Sequence, residues 1–470
     1  MGYDFSKSKD TIVAISTPIG SSAIGVVRIS GDRAIDVVSD FFRSRGSKSL
    51  KNKKWGMYSG QFVDFDGRVI DDVIVLVMKA PNSYTGEDVV EIQAHGNVLI
   101  LRTIVDRLLT KGLRIAEPGE FTRRAFLNGK MDLVQAEAVL GIVNAKTRKA
   151  LHFSQCLYEG KLSNKLLGFS EEIKTFLAWV EAEIDFVDEE IPSDLWERTK
   201  ANLRYIASEM KKLLATADNG RILLNGAVVV IAGKPNVGKS SLFNALLKKN
   251  RAIVSPYPGT TRDQIEEYIS IEEIPVKLVD TAGLRDTYEP IEKEGIKRAW
   301  ETLDRSDVVL FVLDATSIGG EDIEMFERFR QSLESLGFQS LNSKVVLVVN
   351  KTDINPTPVI PSYFSDLSCK CIKTSATRDI GIEELEKAIV ELLIGSEKNY
   401  DDIVLFYEHQ KHSLARAIEC IERSITQENL PPELVAFELR EALNALGEIT
   451  GETTSEDILD IIFSSFCIGK

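Results

Sequence analysis

Apolar and polar residues alternate along the chain in several successive patterns. Residues 11–120 contain short β-type runs such as "TIVAIS" and "VIVLVM", with a few helical stretches and Gly, Pro and Asn between them, which predicts an α+β domain. From about Phe121 the pattern becomes helical, and apolar side chains recur at helical spacing through residues 131–218. We therefore expect this second part of the chain to be all-α.

The pattern changes again over residues 227–394. The runs "AVVVIAG", "VKLVDTAG", "DVVLFVLD" and "KVVLVVN" are almost continuously apolar, which is typical of parallel strands covered on both faces. Helical periodicity returns after residue 400, with a helix start at Pro431-Pro432 and a last helix near 455–465. The sequence predicts a multidomain α/β protein in which a parallel-sheet unit is inserted into one helical domain; two separate helical modules are the alternative.

The predicted boundaries divide the chain into four segments. These are an α+β domain at 1–122, a helical part at 123–222, an inserted α/β domain at 223–396 and a second helical part at 397–470. A chain of 470 residues has room for about three domains. It contains no run of the ~18 apolar residues that a membrane span needs, no secretory pattern at its start and no disulfide framework. We therefore expect a cytoplasmic protein without a membrane segment.

The net charge of −14 bears on the kind of partner. It argues against a surface that wraps nucleic acid over its whole extent, because neutralising phosphates needs dense Lys and Arg. A local basic patch remains compatible with this charge.

The inserted segment carries a phosphate-binding motif where its mechanism requires one. Residues 233–240 read "GKPNVGKS", after the strand-like "AVVVIAG" and before the helix-like "SSLFNALLKK". In such a loop, backbone N–H groups surround the β-phosphate, Lys239 reaches the β- and γ-phosphates, and the Ser240 hydroxyl can ligate Mg²⁺. The partial positive charge at the start of the following helix adds to the attraction. We predict a nucleoside triphosphate site here.

Three later motifs select guanine and complete the site. "VDTAG" places Asp280 near the Mg²⁺ shell and the N–H of Gly283 near the γ-phosphate. "NKTD" ends in Asp353, whose carboxylate can accept hydrogen bonds from guanine N1–H and N2, whereas adenine has an acceptor at N1 and no amino group at C2. "TSA" can supply a backbone N–H to the guanine carbonyl. The motif residues expected at the nucleotide are Asn236, Val237, Gly238, Lys239, Ser240, Ser241, Asp280, Thr281, Ala282, Gly283, Asn350, Lys351, Thr352, Asp353, Ser375 and Ala376.

Hydrolysis of GTP also needs a group that orients the attacking water. Leu284 stands where a Ras-type site has glutamine, and a leucine side chain cannot orient water. The acidic residues of the loop that follows are the candidates. They are Asp286, Glu289, Glu292 and Glu294. The motifs themselves do not choose among them.

The order of these motifs, with "GTTRD" at 259–263, three N-terminal stretches and a final "FCIGK", resembles the MnmE (TrmE) family of bacterial tRNA-modification GTPases. The N-terminal stretches are "TIVAISTPIGSSAIGVVRISG", "PNSYTGEDVVEIQAHG" and "PGEFTRRAFLNGKMDLVQAEA". The resemblance covers essentially the whole chain. It implies an N-terminal folate-binding-like domain that forms a homodimer, a discontinuous helical domain and an inserted Ras-like P-loop GTPase domain.

The resemblance also implies the ions and the water-orienting group. It places K⁺ where other GTPases receive an arginine finger, so that the cation offsets charge developing between the β- and γ-phosphates. The implied K⁺ ligands are Asn236, Ser255, Tyr257 and Thr260. The implied Mg²⁺ ligands are Ser240 and Thr261, and Glu292 matches the catalytic glutamate that orients water. The loop residues that join the nucleotide contacts are Ser255, Pro256, Tyr257, Pro258, Gly259, Thr260 and Thr261.

A folate site is implied as well, for 5-formyltetrahydrofolate or a related one-carbon tetrahydrofolate. Its matching positions are Arg28, Glu91, Lys130 and Lys470. A carboxylate suits the donors on the pterin edge, and cations suit the glutamate tail of folate. In the same C-terminal tail, Cys467 follows an apolar run, so we expect its thiol to be partly buried and inert.

By the same resemblance, the reaction adds a carboxymethylaminomethyl- or aminomethyl-type group to C5 of the wobble uridine of certain tRNAs, together with the flavin-dependent partner MnmG (GidA). An alternative is a ribosome-assembly GTPase of the Era or Der type. That alternative predicts a KH domain or a second phosphate loop, and the sequence has neither pattern. A GTP-gated scaffold with negligible turnover and an independent aminomethyltransferase are further alternatives.

Overall fold

The computed structural model describes most of the chain, and the chain divides into two compact units. The described residues are 10–46, 50, 55–185, 193–250, 266–280, 306–335, 344–367, 369–395, 405, 407–426 and 430–470. The first unit comprises Met1–Leu140, Leu157–Ala207 and Ser413–Lys470, and the second comprises Gly141–Cys156 and Ser208–His412. The four segment boundaries given above stay a prediction.

The described residues of the first unit contain a seven-stranded sheet. Its strands are β1 (Ile12–Ile15), β2 (Ser22–Ser30), β3 (Phe42–Ser44), β4 (Gly56–Val63), β5 (Val69–Met78), β6 (Val89–Gly96) and β7 (Arg114–Ile115). Their order is β3-β4-β5-β6-β2-β1-β7, and only the β1–β7 pair is parallel. Alternate side chains form a core with helices α1 (Ala34–Phe41) and α2 (Val98–Leu109). The predicted α+β part is confirmed.

The other face of this sheet carries a pair of charged side chains from neighbouring strands. Arg28 on β2 lies directly opposite Glu91 on β6 in the antiparallel register. Side chains of directly opposed residues on one face are close enough to interact. The register therefore brings together two charged residues that are 63 positions apart in the sequence.

Helices follow the first sheet in the sequence, as the periodicity predicts. They are α3 (Glu120–Leu127), α4 (Leu133–Asn144), α5 (Arg148–Tyr158), α6 (Lys161–Asp185), α7 (Ser193–Leu214) and α8 (Ala217–Asn225). In α6 the buried residues Leu162, Leu166, Phe169 and Ile173 recur every three or four positions, which gives the helix one apolar face. In the part of the chain that the structure describes, no helix is both long and apolar enough to cross a membrane.

The second unit is built on a six-stranded sheet within its described residues. Its strands are β8 (Ala227–Ala232), β9 (Glu266–Ile271), β10 (Ile274–Asp280), β11 (Val308–Asp314), β12 (Val345–Asn350) and β13 (Lys370–Lys373). The order is β13-β12-β11-β8-β10-β9, and β9 is the one antiparallel member. Besides α8 and most of α5, its helices include α9 (Lys239–Asn250), α10 (Gly320–Ser335), α11 (Ser362–Ser365) and α12 (Ile382–Ile394). Every residue of β11 and β12 is buried, as expected for strands covered on both faces.

Three helices complete the described chain. They are α13 (Glu408–Thr426), α14 (Pro432–Thr450) and α15 (Glu456–Ser464). Within the first unit α14 packs along α6, and Arg440 donates to Glu181 across this contact at 2.6 Å. Because α6 precedes the second sheet in the sequence and α14 follows it, the helical domain is discontinuous. The predicted insertion is confirmed, and the alternative of two separate helical modules is wrong.

A buried ion network joins α3 to the first sheet. Arg124 and Glu120 are 2% and 1% exposed, and Arg124 donates to Glu120 at 2.9 Å and to Glu87 at 3.1 Å. Burial opposes ionisation of Glu120, but the hydrogen bond from Arg114 and the neighbouring cations hold its pKa below the ordinary value. The network therefore keeps its charges by pairing them, which fixes α3 against the sheet.

The start of α3 also lies against the start of the C-terminal tail. Gly119 has φ +69°, and a Cβ placed there would lie 2.5 Å from the carbonyl oxygen of Phe463 on α15. The same two helices are joined by an ion pair, in which Arg123 of α3 donates to Asp460 of α15 at 2.5 Å. The close approach of the two helices therefore requires glycine at position 119.

We expect Gly119→Ala to lower the free energy of unfolding by about 2 kcal/mol or more, because the substitution adds a steric overlap with backbone to the cost of a left-handed alanine. Gly129→Ala is the matched control. Gly129 has φ +67°, and no atom of the described residues lies within 4 Å of the added Cβ, so only the backbone cost of about 1 kcal/mol applies. Chemical denaturation followed by circular dichroism measures both losses. Equal losses at the two positions would contradict the proposed contact.

Candidate functional site

The phosphate loop lies between β8 and α9. Its backbone has positive φ at Gly233, Asn236 and Gly238, with values of 141°, 63° and 96°. The Lys239 side chain is buried and curls back over the loop, donating to the carbonyl oxygens of Gly233 at 2.7 Å and Lys234 at 2.6 Å. The ammonium therefore stands inside the loop, and the exposed hydroxyl-bearing residues Ser240 and Ser241 follow in the first turn of α9.

The residues at the end of β12 hold this loop in place. Asn350 Nδ2 donates to the carbonyl oxygen of Val237 at 3.1 Å. Lys351 Nζ donates to the carbonyl oxygen of Asn236 at 2.7 Å and forms an ion pair with Asp314 at 2.5 Å. Burial works against ionisation of Asp314, yet the hydrogen bonds from Lys351 and Thr316 lower its pKa. The two residues of the "NK" pair thus bond to the two central residues of the phosphate loop.

The predicted base-recognition residues come together at the same edge of the sheet. Ser375 Oγ donates to Asp353 Oδ1 at 2.6 Å, which orients the carboxylate. The N–H of Ala376 donates to Asn350 Oδ1 at 3.1 Å. Thr352 is tied to the same loop through its hydroxyl, which donates to the carbonyl of Thr374 at 2.9 Å. The Ser375 hydroxyl therefore connects the Asp353 carboxylate to the loop that carries the Ala376 N–H, the acceptor and donor that a guanine edge requires.

The remaining predicted nucleotide contacts lie mostly outside the described residues. Those outside are Ser255, Pro256, Tyr257, Pro258, Gly259, Thr260, Thr261, Thr281, Ala282, Gly283 and the expected catalytic residue Glu292. The backbone of Asp280 is described: it ends β10 opposite Ile231 of β8, one strand from the phosphate loop. The strand order thus places Asp280 at the edge of the sheet where the loop begins.

A second cluster of predicted residues forms on the face of the first sheet that lies opposite the core with α1 and α2. Arg28 Nε donates to Glu91 Oε1 at 2.8 Å, and Arg28 Nη1 donates to the carbonyl oxygen of Gly469 at 3.2 Å. The guanidinium carbon lies 5.6 Å from the ring centroids of both Tyr84 and Phe121. The C-terminal tail therefore reaches Arg28, and the arginine is held between a carboxylate, a carbonyl and two aromatic faces.

Two predicted members of this cluster differ in their surroundings. Lys470 lies near Arg28: burial, with a smaller contribution from the Arg28 charge, lowers the pKa of its ammonium. Lys130 instead donates to the carbonyl oxygen of Pro81 at 3.0 Å, and its described contacts do not include Arg28 or Glu91. The structure thus brings three of the four predicted residues together.

The expectation for Cys467 is wrong. The apolar run before it does enter the core, where Phe463 and Phe466 are 2% and 5% exposed. The last helix ends at Ser464, and the chain then turns, with the N–H of Lys470 donating to the carbonyl of Cys467. Because the helical periodicity stops before this turn, Cys467 is exposed and Gly469 is buried.

Comparison with known proteins shows the family of the chain. Residues 11–130 match the model described as GTP-binding protein TrmE N-terminus, and residues 133–467 match the MnmE helical domain. The chain belongs to the MnmE family. Relatives called tRNA modification GTPase MnmE are 41% identical in Alkaliphilus oremlandii, over 98% of this chain and 99% of the relative, and 42% identical in Carboxydothermus hydrogenoformans, over 98% and 100%. The Clostridioides difficile relative is 41% identical over 98% and 99%.

In this MnmE-family chain, sequence reasoning missed three contributors to the Arg28 cluster. They are the ring of Tyr84, the ring of Phe121 and the carbonyl of Gly469. Tyr84 is fixed by a hydrogen bond between its hydroxyl and that of Thr122 at 2.9 Å. These residues belong to a loop, a helix and the tail, so no sequence spacing relates them to Arg28.

The lowered pKa of Lys470 gives a pH dependence with a definite sign. Between the lowered pKa and the ordinary value of 10.5, the unfolded chain binds more protons than the folded chain, so the free energy of unfolding rises with pH. Below the lowered pKa the whole cost of the charged ammonium is present. We expect Lys470→Met to remove this rise in urea denaturation across the alkaline range.

Lys174→Met is the matched control, because Lys174 is half exposed on α6 of the same unit. It should retain the rise seen for the wild-type chain. If Lys470→Met shows the same slope as the control, the assignment of the lowered pKa to Lys470 is wrong.

Proposed function

We propose that the chain is a K⁺-activated GTPase that works on tRNA. With a flavin-dependent partner of the MnmG (GidA) type, it would install a carboxymethylaminomethyl- or aminomethyl-type group at C5 of the wobble uridine, with a one-carbon tetrahydrofolate as donor. One observation carries this proposal: relatives named tRNA modification GTPases match the chain from end to end at about 40% identity. The cytoplasm, where tRNA is modified, is the proposed location.

Guanine recognition is supported by the geometry around Asp353. The Ser375 hydroxyl holds one carboxylate oxygen, and Arg378 Nε lies 3.7 Å from the other. A carboxylate in this position offers acceptors to guanine N1–H and N2. The Ala376 N–H, which here donates to Asn350 Oδ1, would donate to guanine O6 instead. Adenine would present an acceptor to the carboxylate, so the site favours GTP over ATP.

The cation sites are supported by the donor chemistry of the phosphate loop. The Ser240 hydroxyl at the start of α9 is an oxygen ligand of the kind that Mg²⁺ takes, with Thr261 as the proposed second ligand. Among the described residues the Asn236 side chain is exposed, so a ligand can reach its carboxamide, while Lys351 holds its main-chain carbonyl. A K⁺ ion bound there would stabilise charge between the β- and γ-phosphates. The other proposed K⁺ ligands are Ser255, Tyr257 and Thr260, and Glu292 is the proposed group that orients water.

A folate site is supported by the charges of the Arg28 cluster. Arg28 and Lys470 are two cations with one carboxylate, Glu91, among their described contacts. The Arg28 guanidinium and the Lys470 ammonium can each pair with a carboxylate of a folate glutamate tail, and Tyr84 and Phe121 offer aromatic surface for a ring. We assign Arg28, Glu91 and Lys470 to 5-formyltetrahydrofolate or a related cofactor, and Lys130 to its margin.

A homodimer through the first unit is the proposed assembly. Met57 on β4 and Ile74 on β5 are 68% and 37% exposed and lie two cross-strand pairs apart, on the same face of the sheet. Apolar side chains grouped on an open sheet face favour a protein partner. A dimer would also bring two GTPase domains together, so that K⁺-dependent contact between them could activate hydrolysis without a separate activator.

The modification itself is tested by mass analysis of tRNA nucleosides from cells that lack the gene. We expect loss of the C5-substituted wobble uridine, because the proposal assigns the GTP hydrolysis that the modification needs to this chain. Complementation with the wild-type gene is the control and should restore the nucleoside. Unchanged wobble uridines in the deletion strain would falsify the proposed function.

The K⁺ proposal predicts GTP hydrolysis that is severalfold faster in KCl than in NaCl. In Asn236→Ala the two salts should give the same rate, because the carboxamide ligand is lost, while GTP still binds through the loop backbone and Lys239. Initial phosphate-release rates measure this. Asn244→Ala, which removes an exposed asparagine from α9, should keep the wild-type ratio. Equal rates in the two salts for the wild-type chain count against K⁺ activation.

A further inference from the structure

The β9–β10 hairpin connects two parts of the proposed GTP site. β9 begins at Glu266, a few residues after Thr261 in the sequence, and β10 ends at Asp280. In the sheet β10 pairs with β8, which leads into the phosphate loop, whereas β9 is the edge strand. Any displacement of the hairpin along β8 would therefore move the backbone at both of its ends.

The tip of the hairpin and the phosphate loop lie at opposite ends of the strands. Ala227, the first residue of β8, is paired with Val276 near the tip, and Ile231, at the other end, is paired with Asp280. From the tip to Asp280 the strand rises by about 20 Å. The tip is thus remote from the proposed chemistry but covalently continuous with it.

The turn at the tip has a backbone that its residues do not favour. Ile271 pairs with Ile274, so that Glu272 and Glu273 alone form the turn. Their φ angles are 47° and 66°, which is the left-handed region that a type I′ turn requires and that Asn and Gly adopt most easily. Strain of this kind persists where the surroundings impose it. The contacts of the tip therefore matter more than the turn propensity of its residues.

Those contacts come from the start of α5. Glu273 Oε2 accepts a hydrogen bond at 3.0 Å from the N–H of Arg148, the first residue of the helix. Lys149 Nζ donates to the carbonyl oxygen of Glu272 at 2.9 Å. A carboxylate in this position satisfies an N–H that the helix leaves unpaired and faces the positive end of its dipole. The helix and the turn thus stabilise each other.

A third contact fixes the hairpin behind its tip. The ammonium of Lys146, two residues before α5, lies 2.9 Å from the ring centroid of Tyr268 on β9. This is a cation–π contact, and it acts on the strand that leads toward Thr261. Three contacts of different chemistry therefore attach the hairpin to the segment 146–149.

We propose that Glu273 is a positioning residue for GTP hydrolysis. Bonded to α5, it holds the tip of the hairpin and so supports the position of the backbone at Asp280, where β10 ends. The inference rests on the proposed function, because that function assigns Asp280 and Thr261 to the GTP site. By linkage, a nucleotide that shifts the ends of the hairpin also alters the contact with α5, so GTP state and the α5 segment are coupled in both directions.

The decisive variant is Glu272→Asn combined with Glu273→Gly in the full chain. It gives the turn its favoured residues and removes the carboxylate, so it should unfold at a higher denaturant concentration than the wild type. At the same time its kcat for GTP in KCl should fall by about fivefold, the lower end of the range for couplings between distant sites. A purely structural role for Glu273 predicts the opposite pair of results, with lower stability and an unchanged kcat per folded molecule.

Two single variants separate the hydrogen bond from the turn. Glu273→Gln keeps an acceptor oxygen and should hold the wild-type kcat, whereas Glu273→Ala loses it and should be as slow as the double variant. Glu391→Gln is the matched control, because it breaks an exposed ion pair with Lys370 at the other edge of the same sheet. That control should hydrolyse GTP at the wild-type rate.

The inference is overturned if the double variant has a kcat equal to or above that of the wild type, or if the Gln and Ala variants of Glu273 have equal kcat values. A wild-type chain that does not hydrolyse GTP would refute the proposed function instead. The two failures are therefore distinguishable in one set of assays.

Discussion

The buried carboxamide of Asn350 is the interaction on which the nucleotide site depends. It is 2% exposed at the end of β12, its Nδ2 donates to Val237 in the phosphate loop, and its Oδ1 accepts from Ala376 in the base loop. A buried amide that lost one of these partners would pay the cost of desolvation without compensation. The Asn350 side chain therefore connects the phosphate loop to the base loop, and the neighbouring Lys351 adds a second hydrogen bond to the phosphate loop.

The parallel sheet makes this arrangement possible. β8, β11 and β12 all run the same way, so their carboxyl ends place the phosphate loop, Asp314 and Asn350 at one edge. The ion pair between Lys351 and Asp314 then stiffens the loop from the side. Lys239 is already folded over the loop carbonyls. A phosphate would thus meet a preformed set of donors, which lowers the ordering cost of binding.

In the first unit, the C-terminal tail contacts the N-terminal sheet. Packing of α14 on α6 returns the chain to the N-terminal sheet after the insertion. Gly119 then lets α15 approach α3, and the tail places Gly469 and Lys470 beside Arg28. The Arg28 cluster therefore depends on the packing of the C-terminal helices against α3 and α6.

The sequence by itself determined the features whose residues are neighbours in the chain. The phosphate loop, "NKTD" and "TSA" lie where expected, because a strand, a short loop and a helix fix the relative positions of adjacent residues. The order of elements and the insertion also followed from periodicity. The tertiary structure decided what depends on register and packing: the pairing of Arg28 with Glu91, the separate surroundings of Lys130, the exposure of Cys467 and the attachment of Glu273 to α5. These contacts join residues far apart in sequence, and only the folded sheet and the packed helices set their distances.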